Sequence, residues 1–444
     1  MFALAAPLGD ASAQSATDTT GAIVGTVIDQ TSVPLPLVHV EISSPALMVP
    51  LSTLTTAAGH YRFLALPPAE YSIVFSRHGF VTTNRRGVVV SLAAATTADA
   101  EMVAGLVEDV TVLGAPPLLD RQSASVAVRF DSAQLANLPG ARNMGAVLSA
   151  VPGVQLARFD VGGSAGLISP QYGAYGTSGG HPMLEGILIG LINAYGLTVD
   201  YGSIQEVSAM AAASGPSQLT PGVRMQFVTK AGGDRYHGSL YADYGNQQWQ
   251  SYNIDERQIL QEAAAGGSLR RDANRLWRYH DVNADVGGFI SKGRLWWYGS
   301  GRQQNVSARL VYFPVKPYVT EAWNATIKTT YRVNPAHRIV AFATAMHAHE
   351  PNLLDAFRPA GTVQSQTAAI NRSESSTSKR LALGTAAKLE WNGTFGSSVF
   401  AEVRMGRFAP SREEMPNGTE PRFENLTTFD VTGGNRSWEA SLSP

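Results

Sequence analysis

The 444-residue chain has a net charge of −1, no cysteine and 16% charged residues, against ~25% in an average soluble domain. That length points to several domains. The charge balance leaves no basic footprint for nucleic acid, and the lack of cysteine excludes disulfides and thiolate metal sites. With 43 glycines, the composition suits a glycine-turned β protein that hides much of its surface in a second solvent. No run of ~18 apolar residues occurs, so a closed barrel is the remaining way to cross a bilayer.

Residues 1–19 read as a signal or tail, with small apolar residues and an A-x-A-like site at Ala11, Ser12 and Ala13 but no basic n-region. Residues 20–104 hold several short strands separated by turn residues, the pattern of a β-sandwich. Gly25, Val27, Asp29, Pro36, Val38, Val40, Thr55, Gly59, Tyr61, Phe63, Leu66, Pro67, Pro68, Tyr71, Gly79 and Phe80 fall at the spacings of one family. On these residues the stretch resembles the carboxypeptidase regulatory-like domain, which implies a non-catalytic sandwich. Ala69 and Glu70 stand where that family usually has a glycine, so a differently shaped turn is expected there.

Residues 105–128 form a linker around a short β-branched run, Val110, Thr111 and Val112. Such a run adds to the sheet edge of another protein or closes the sandwich as its last strand. Residues 129–234 follow. Leu138, Pro139, Arg142, Asn143, Leu148, Pro152, Gly153 and Val154 form one motif, with a short helix expected over 142–149. Residues 172–180 are a polar, glycine-rich loop, and Glu185-Gly186 keeps an acid before glycine. A strand is expected over 201–207.

The stretch 227–245 is the hinge of the chain. A short apolar run ends in Thr229-Lys230, a glycine turn follows, and an alternating strand begins near Arg235. From there on the alternation is persistent. Candidate strands are 235–245, 279–290, 294–304, 321–333, 337–349, 380–391, 397–408, 422–430 and 436–442, most near the ~9–11 residues that a tilted membrane strand needs. In 321–333, Trp323, Ala325, Ile327, Thr329 and Tyr331 oppose Asn324, Thr326, Lys328, Thr330 and Arg332, one face for lipid and one for a wet lumen. Short connections at 291–293, 334–336 and 392–396 alternate with long ones at 246–278, 305–320, 350–379 and 409–421, as in outer-membrane barrels.

Together with the motif at 138–154, the residues Thr229, Lys230, Gly232, His237, Gly238, Ser239, Leu240, Tyr241 and Asn246 resemble the plug-to-barrel junction of TonB-dependent outer-membrane receptors. The resemblance covers about residues 23–301. The implied fold class is mainly β: an N-terminal β-sandwich, an α+β plug domain over 129–234, and part of an antiparallel transmembrane β-barrel over 235–444. Nine strands cannot close around a plug, because a plugged lumen takes about 22 and a domain of about 100 residues has a radius of gyration near 13 Å. The expectation is therefore an N-terminal fragment whose barrel portion is an open, curved sheet.

The resemblance implies substrate uptake across the outer membrane, driven by proton-motive force through TonB, with the sandwich in the periplasm. Asp109, Val110, Thr111, Val112 and Leu113 are then the segment TonB contacts, and Gln171, Tyr172, Tyr175 and Ser178 the plug loop that meets substrate. The substrate is of siderophore, oligosaccharide or peptide class, and the other partner is outer-membrane lipid. An alternative function is a carbohydrate-binding surface or adhesion protein that uses the sandwich. No cofactor and no enzymatic activity are expected. The G-x-S-x-G stretch at Gly176, Ser178 and Gly180 lacks the strand-then-helix setting of a nucleophile elbow. His347 and His349 share a strand face at the outer end of their strand and could hold a metal, although exposed histidines at a loop entrance are the commoner case.

Overall fold

The computed structural model describes residues 19–47, 49–105, 110–113, 126–140, 142–156, 172–178, 180–189, 199–212, 222–264, 270–272, 275–310, 313–353, 378–395, 399–417, 429–431 and 434–436. The proposed signal or tail at 1–18 lies outside the described residues. The chain divides into two compact units. One runs to Ser123 and includes the strips Arg332–Arg338 and Trp391–Val403; the other holds Ala124–Tyr331, Ile339–Glu390 and Arg404 onward.

The first unit contains a sandwich of β1 (Gly21–Asp29), β2 (His39–Ser43), β3 (Leu51–Leu54), β4 (His60–Leu66), β5 (Ala69–Ser76), β6 (Thr83–Val90), β7 (Ala95–Thr97), β8 (Ala100–Met102) and β9 (Val110–Leu113). One sheet has the order β4-β1-β7, with β8 also on β1; the other has the order β3-β2-β5-β6-β9. Alternate residues of the strands fill the core, among them Ile23, Val27, Val40, Ile42, Tyr61, Ile73 and Phe75. The buried Tyr71 hydroxyl donates to the Pro67 carbonyl at 2.7 Å, which fixes the turn into β5. That turn does depart from a glycine-based one: Ala69 opens the strand directly, and the left-handed residue is Ala65 (φ 54°).

The second unit starts with β10 (Val126–Asp131), α1 (Ser132–Asn137), α2 (Met144–Ser149), β11 (Val154–Leu156), β12 (Tyr172–Ala174), β13 (Thr177–Ser178), β14 (Gly180–Leu184), β15 (Ile187–Leu188), β16 (Ile204–Ala212) and β17 (Val223–Thr229). Five strands form the plug-region sheet in the order β10-β16-β17-β14-β15, with β14 parallel to β17. The expected strand over 201–207 begins instead as a 3-10 turn, Tyr201–Ser203. The helix expected over 142–149 is α2, whose N-terminus Asn143 caps by accepting from the Ala146 amide at 3.1 Å. α1 was not anticipated. Its Asp131 and Gln134 form a reciprocal capping box, satisfying two backbone donors at once.

Beyond the hinge come β18 (His237–Asn246), α3 (Glu256–Ala264), β19 (Arg275–Ser291), β20 (Leu295–Leu310), β21 (Phe313–Asn334), β22 (His337–Leu353), β23 (Ser378–Phe395) and β24 (Val399–Pro416). They form one seven-stranded meander in sequence order, an open antiparallel sheet. β25 (Phe429–Val431) and β26 (Gly434–Arg436) pair only with each other, so within the described residues they do not extend it.

Three expectations need correction. From β19 to β24 the strands run 16 to 22 residues, well beyond the expected 9–11. The long connection expected at 305–320 is taken up by β20 and β21, which pair up to Leu310 and Phe313. Pairing continues there although Asn305 faces Glu321 and the small, buried Ser307 faces Val319, so the hydrophobic pattern weakens before the ladder ends. The connection at 246–278 carries α3 rather than plain loop.

The faces of the sheet are reversed relative to a soluble sandwich. Trp323 and Ile327 are about half exposed, whereas their neighbours Asn324, Thr326, Lys328 and Thr330 are buried. Arg302, Gln304, Lys388 and Glu390 are likewise buried, while Leu240, Leu383, Leu389, Val403 and Met405 are exposed. The buried face packs on the plug region, whose core of Val147, Leu148, Leu184, Ile204, Met225 and Phe227 is continuous with Phe342, Met346 and Ala386 of the sheet.

Candidate functional site: an ionic clasp between plug region and sheet

The turn between β14 and β15 carries Glu185 in the left-handed region (φ 53°), followed by Gly186 at φ 79°. Its amide donates to the Phe227 carbonyl at 2.9 Å, so the turn is anchored on the last strand before the hinge. The carboxylate is 2% exposed as a side chain. Its Oε1 accepts from the Thr229 amide (2.9 Å), the Thr229 hydroxyl (2.7 Å) and Lys328 Nζ (2.7 Å), and its Oε2 accepts from Lys388 Nζ (2.9 Å). Lys388 also donates to Glu390 at 2.8 Å, and Arg404 lies 3.4 Å from the same Glu390 oxygen. Burial alone would raise the Glu185 carboxyl pKa. The ammonium groups of Lys328 and Lys388 and the Thr229 and Lys328 hydrogen bonds outweigh it and hold the group well below the usual carboxylate range.

Two further polar contacts hold the same interface. Arg302 makes a two-pronged pair with Asp281 and donates to the Arg142 carbonyl at 2.8 Å. Arg142 lies 3.8 Å from the Tyr241 ring centroid and 5.6 Å from that of Tyr201. The Arg142-Asn143 pair thus joins a helix cap to a sheet contact. Asp200 accepts from Ser300 (2.8 Å), from Asn283 (3.2 Å) and from the Gly202 amide (3.1 Å). Burial raises its carboxyl pKa, against the Ser300 hydrogen bond and the nearby Arg302 charge.

The hinge is pinned at each step. The Lys230 amide donates to the Ser203 carbonyl at 2.8 Å. Lys230 Nζ pairs with Asp285 at 3.1 Å, and Ser239 donates to the same carboxylate. Gly232 lies so close to the strands that an added Cβ would sit 2.3 Å from the Trp297 carbonyl oxygen and 2.6 Å from that of Gly288. Asp234 accepts from Trp296 Nε1 at 2.7 Å and from the Gly293 amide at 3.1 Å.

The residues singled out from sequence are not brought together. Val110, Thr111, Val112 and Leu113 form β9, which pairs in parallel with Thr83–Arg86 at the edge of a sandwich sheet; Asp109 lies outside the described residues. Gln171 also lies outside them. Tyr172 is partly buried, and burial raises its phenol pKa. Tyr175 is 69% exposed at φ 50°. The backbone of Ser178 lies in β13, which pairs with β12 as the second strand of a small hairpin, and Gly180 opens the next strand, β14, rather than a helix. His347 stacks on Trp323 (5.8 Å, 19°), and His349 lies 3.5 Å from Glu321, both on the outward face. Among the described residues no group of three His, Asp or Glu suits a metal. From sequence, Lys328 is legible only as an inward polar position and Lys388 only as a residue of the candidate strand 380–391. Their partner is 143 and 203 residues away in the chain, a separation that spacing does not encode.

Residues 22–103 match the carboxypeptidase regulatory-like domain family. Over 293 residues, 62% of the chain, the sequence is 29% identical to the TonB-dependent transporter Oar of Myxococcus xanthus, and it spans about a quarter of that protein's length (26%). Solved structures similar to it include the ferripyoverdine receptor of the Pseudomonas aeruginosa outer membrane (11% identity, 66% of this chain, 35% of that one, TM-score 0.45). Another is BauA, the ferric preacinetobactin receptor of Acinetobacter baumannii (13% identity, 68% and 40% covered, TM-score 0.45). The chain is thus similar to the TonB-dependent transporter Oar over part of that protein's length, and carries a carboxypeptidase regulatory-like domain ahead of its plug region and open sheet.

Proposed function

We propose that the chain works in a TonB-dependent outer-membrane transporter that takes up a cargo of siderophore, oligosaccharide or peptide class. The observation that carries this reading is the reversed sheet. β21 turns Trp323 and Ile327 outward and buries Asn324, Thr326 and Lys328 against the plug region. A strand with its apolar face exposed is stable where that face meets lipid.

The clasp gives the reading its mechanical part. A plug held by buried ion pairs is stable at rest and loses several contacts together once displaced, as a two-state element requires. Cargo meeting the loop of Tyr172, Tyr175 and Ser178 biases that element. TonB takes the segment of Asp109, Val110, Thr111, Val112 and Leu113 as an added strand. β9 suits this role because it ends its sheet and has one neighbour, β6, among the described strands. Tension on β9 reaches β10 along the chain, and β10 belongs to the sheet that bears Glu185.

The test is deletion of residues 109–113 in the whole receptor. Uptake is expected to fall to background while cargo binding at the cell surface stays unchanged. Unchanged uptake contradicts the proposal.

A further inference from the structure

The end of the sheet opposite the connections at 292–294, 335–336 and 396–398 carries arginines that the transport reading does not use. Outward-facing residues of β18 and β19 begin with Leu240 (77% exposed), Val282 and Val286 and continue to Tyr244, which meets Trp249 edge-on at 5.5 Å. In register, Tyr244 pairs with His280 and Asn246 with Arg278. Arg278 is therefore two residues past the aromatic level, about 7 Å along the strand. The polar layer flanking a bilayer core is roughly 5–7 Å deep on each side.

Above Arg278, Arg275 of β19 lies directly opposite Arg309 of β20. Like charges in that position repel. A fourth arginine adds to the charge: Arg271 and Arg275 share the Tyr252 ring, at 4.5 and 3.8 Å from its centroid. Arg309 stacks on Trp277 at 4.7 Å. Asp272 pairs with Arg270 at 3.1 Å and lies 3.6 Å from Arg309. Arg275 donates to the carbonyls of Gln247 and Gln250, yet its Nε has no hydrogen-bond partner among the described residues. Trp249 and Tyr252 are 72% and 50% exposed beside this charge.

We propose that this collar binds the phosphate groups of a glycolipid in the outer leaflet. The inference rests on the outer-membrane reading above. The collar continues the lipid-facing belt, so its natural anion is one carried at the membrane surface. Guanidinium groups match phosphate geometry two-pronged. The aromatic rings offer the amphipathic surface that membrane interfaces favour.

The full chain, reconstituted in phosphatidylcholine vesicles, is titrated with a diphosphorylated glucosamine lipid, with its dephosphorylated form and with inorganic phosphate. The phosphorylated lipid is expected to bind at least about tenfold more tightly than the dephosphorylated form. R275Q/R309Q should lose most of that preference. The exposed single variant R278Q, which leaves the stacked pairs intact, should lose part of it. Equal binding of the two lipids, an unchanged preference in both variants, or competition by inorganic phosphate as strong as by the lipid would overturn the proposal. Quenching of tryptophan by brominated acyl chains reports insertion separately. Insertion without phosphate preference refutes the collar alone, and failure to insert refutes the outer-membrane reading with it.

Discussion

Glu185 occupies a backbone region that costs a residue with a side chain about 1–2 kcal/mol, and it is fully buried. Four charge-assisted hydrogen bonds at 2.7 to 2.9 Å offset both penalties. Removing its charge leaves the buried Lys328 without a carboxylate partner and Lys388 with Glu390 alone. Glu185→Gln is therefore expected to weaken the plug region's hold on the sheet by about 3–5 kcal/mol, read as a lower urea midpoint for its unfolding. A change below ~1 kcal/mol would show that the clasp is solvated. The pH dependence follows from the depressed pKa. The folded group stays charged below the usual carboxylate pKa, so its contribution is present above that value and is lost as pH falls through the folded one. Urea midpoints at successively lower pH should decline more steeply for the native chain than for Glu185→Gln. At Gly232, a methyl group would press on two backbone carbonyls, neither of which can rotate away. Gly232→Ala should sharply reduce the folded yield, and a normal yield would mean that the hinge can shift. The need for glycine at 232 and an acid at 185 was legible in the sequence. The partners of Glu185 were not, because contacts closed by the return of β21 and β23 leave no local pattern.

At the scale of elements, capping and pairing explain most differences between expectation and structure. The Asp131 and Gln134 spacing is a capping-box signal, so α1 was within reach of the sequence. The true strand lengths were not, since β20 and β21 stay paired past Asn305 and Glu321, where the apolar signal of the outward face breaks. β9 was open to two readings, an edge-adding segment or the last sandwich strand. The structure pairs it, with Thr83 facing Val110 and Arg86 facing Leu113. A paired β9 should protect its hydrogen-bonded amides from exchange by about tenfold or more relative to a free peptide of the same sequence. Exchange at the free-peptide rate would show that the segment is detached at rest, and the proposed capture by TonB would then need no competition with β6.

At the scale of the whole molecule, the arrangement of the sheet is the feature the sequence announced most clearly. The alternation in β21 assigned both faces correctly, because a period of two is all that a two-faced strand needs. The identity of the buried neighbour came instead from the resemblance at Leu138 to Val154 and at the hinge, since pattern alone does not tell a wet lumen from a packed plug. The opposed environments of two tryptophans test this arrangement. Trp323 is 43% exposed on the outward face, and Trp296 is 1% exposed on the inward one. The most direct measurement is tryptophan quenching by brominated acyl chains, in vesicles containing the native chain, Trp323→Phe or Trp296→Phe. Trp323→Phe is expected to remove a clear share of the quenchable emission and Trp296→Phe none. Equal loss in both variants, or quenching by water-soluble acrylamide alone, would contradict a lipid-facing Trp323 and a plug-facing Trp296.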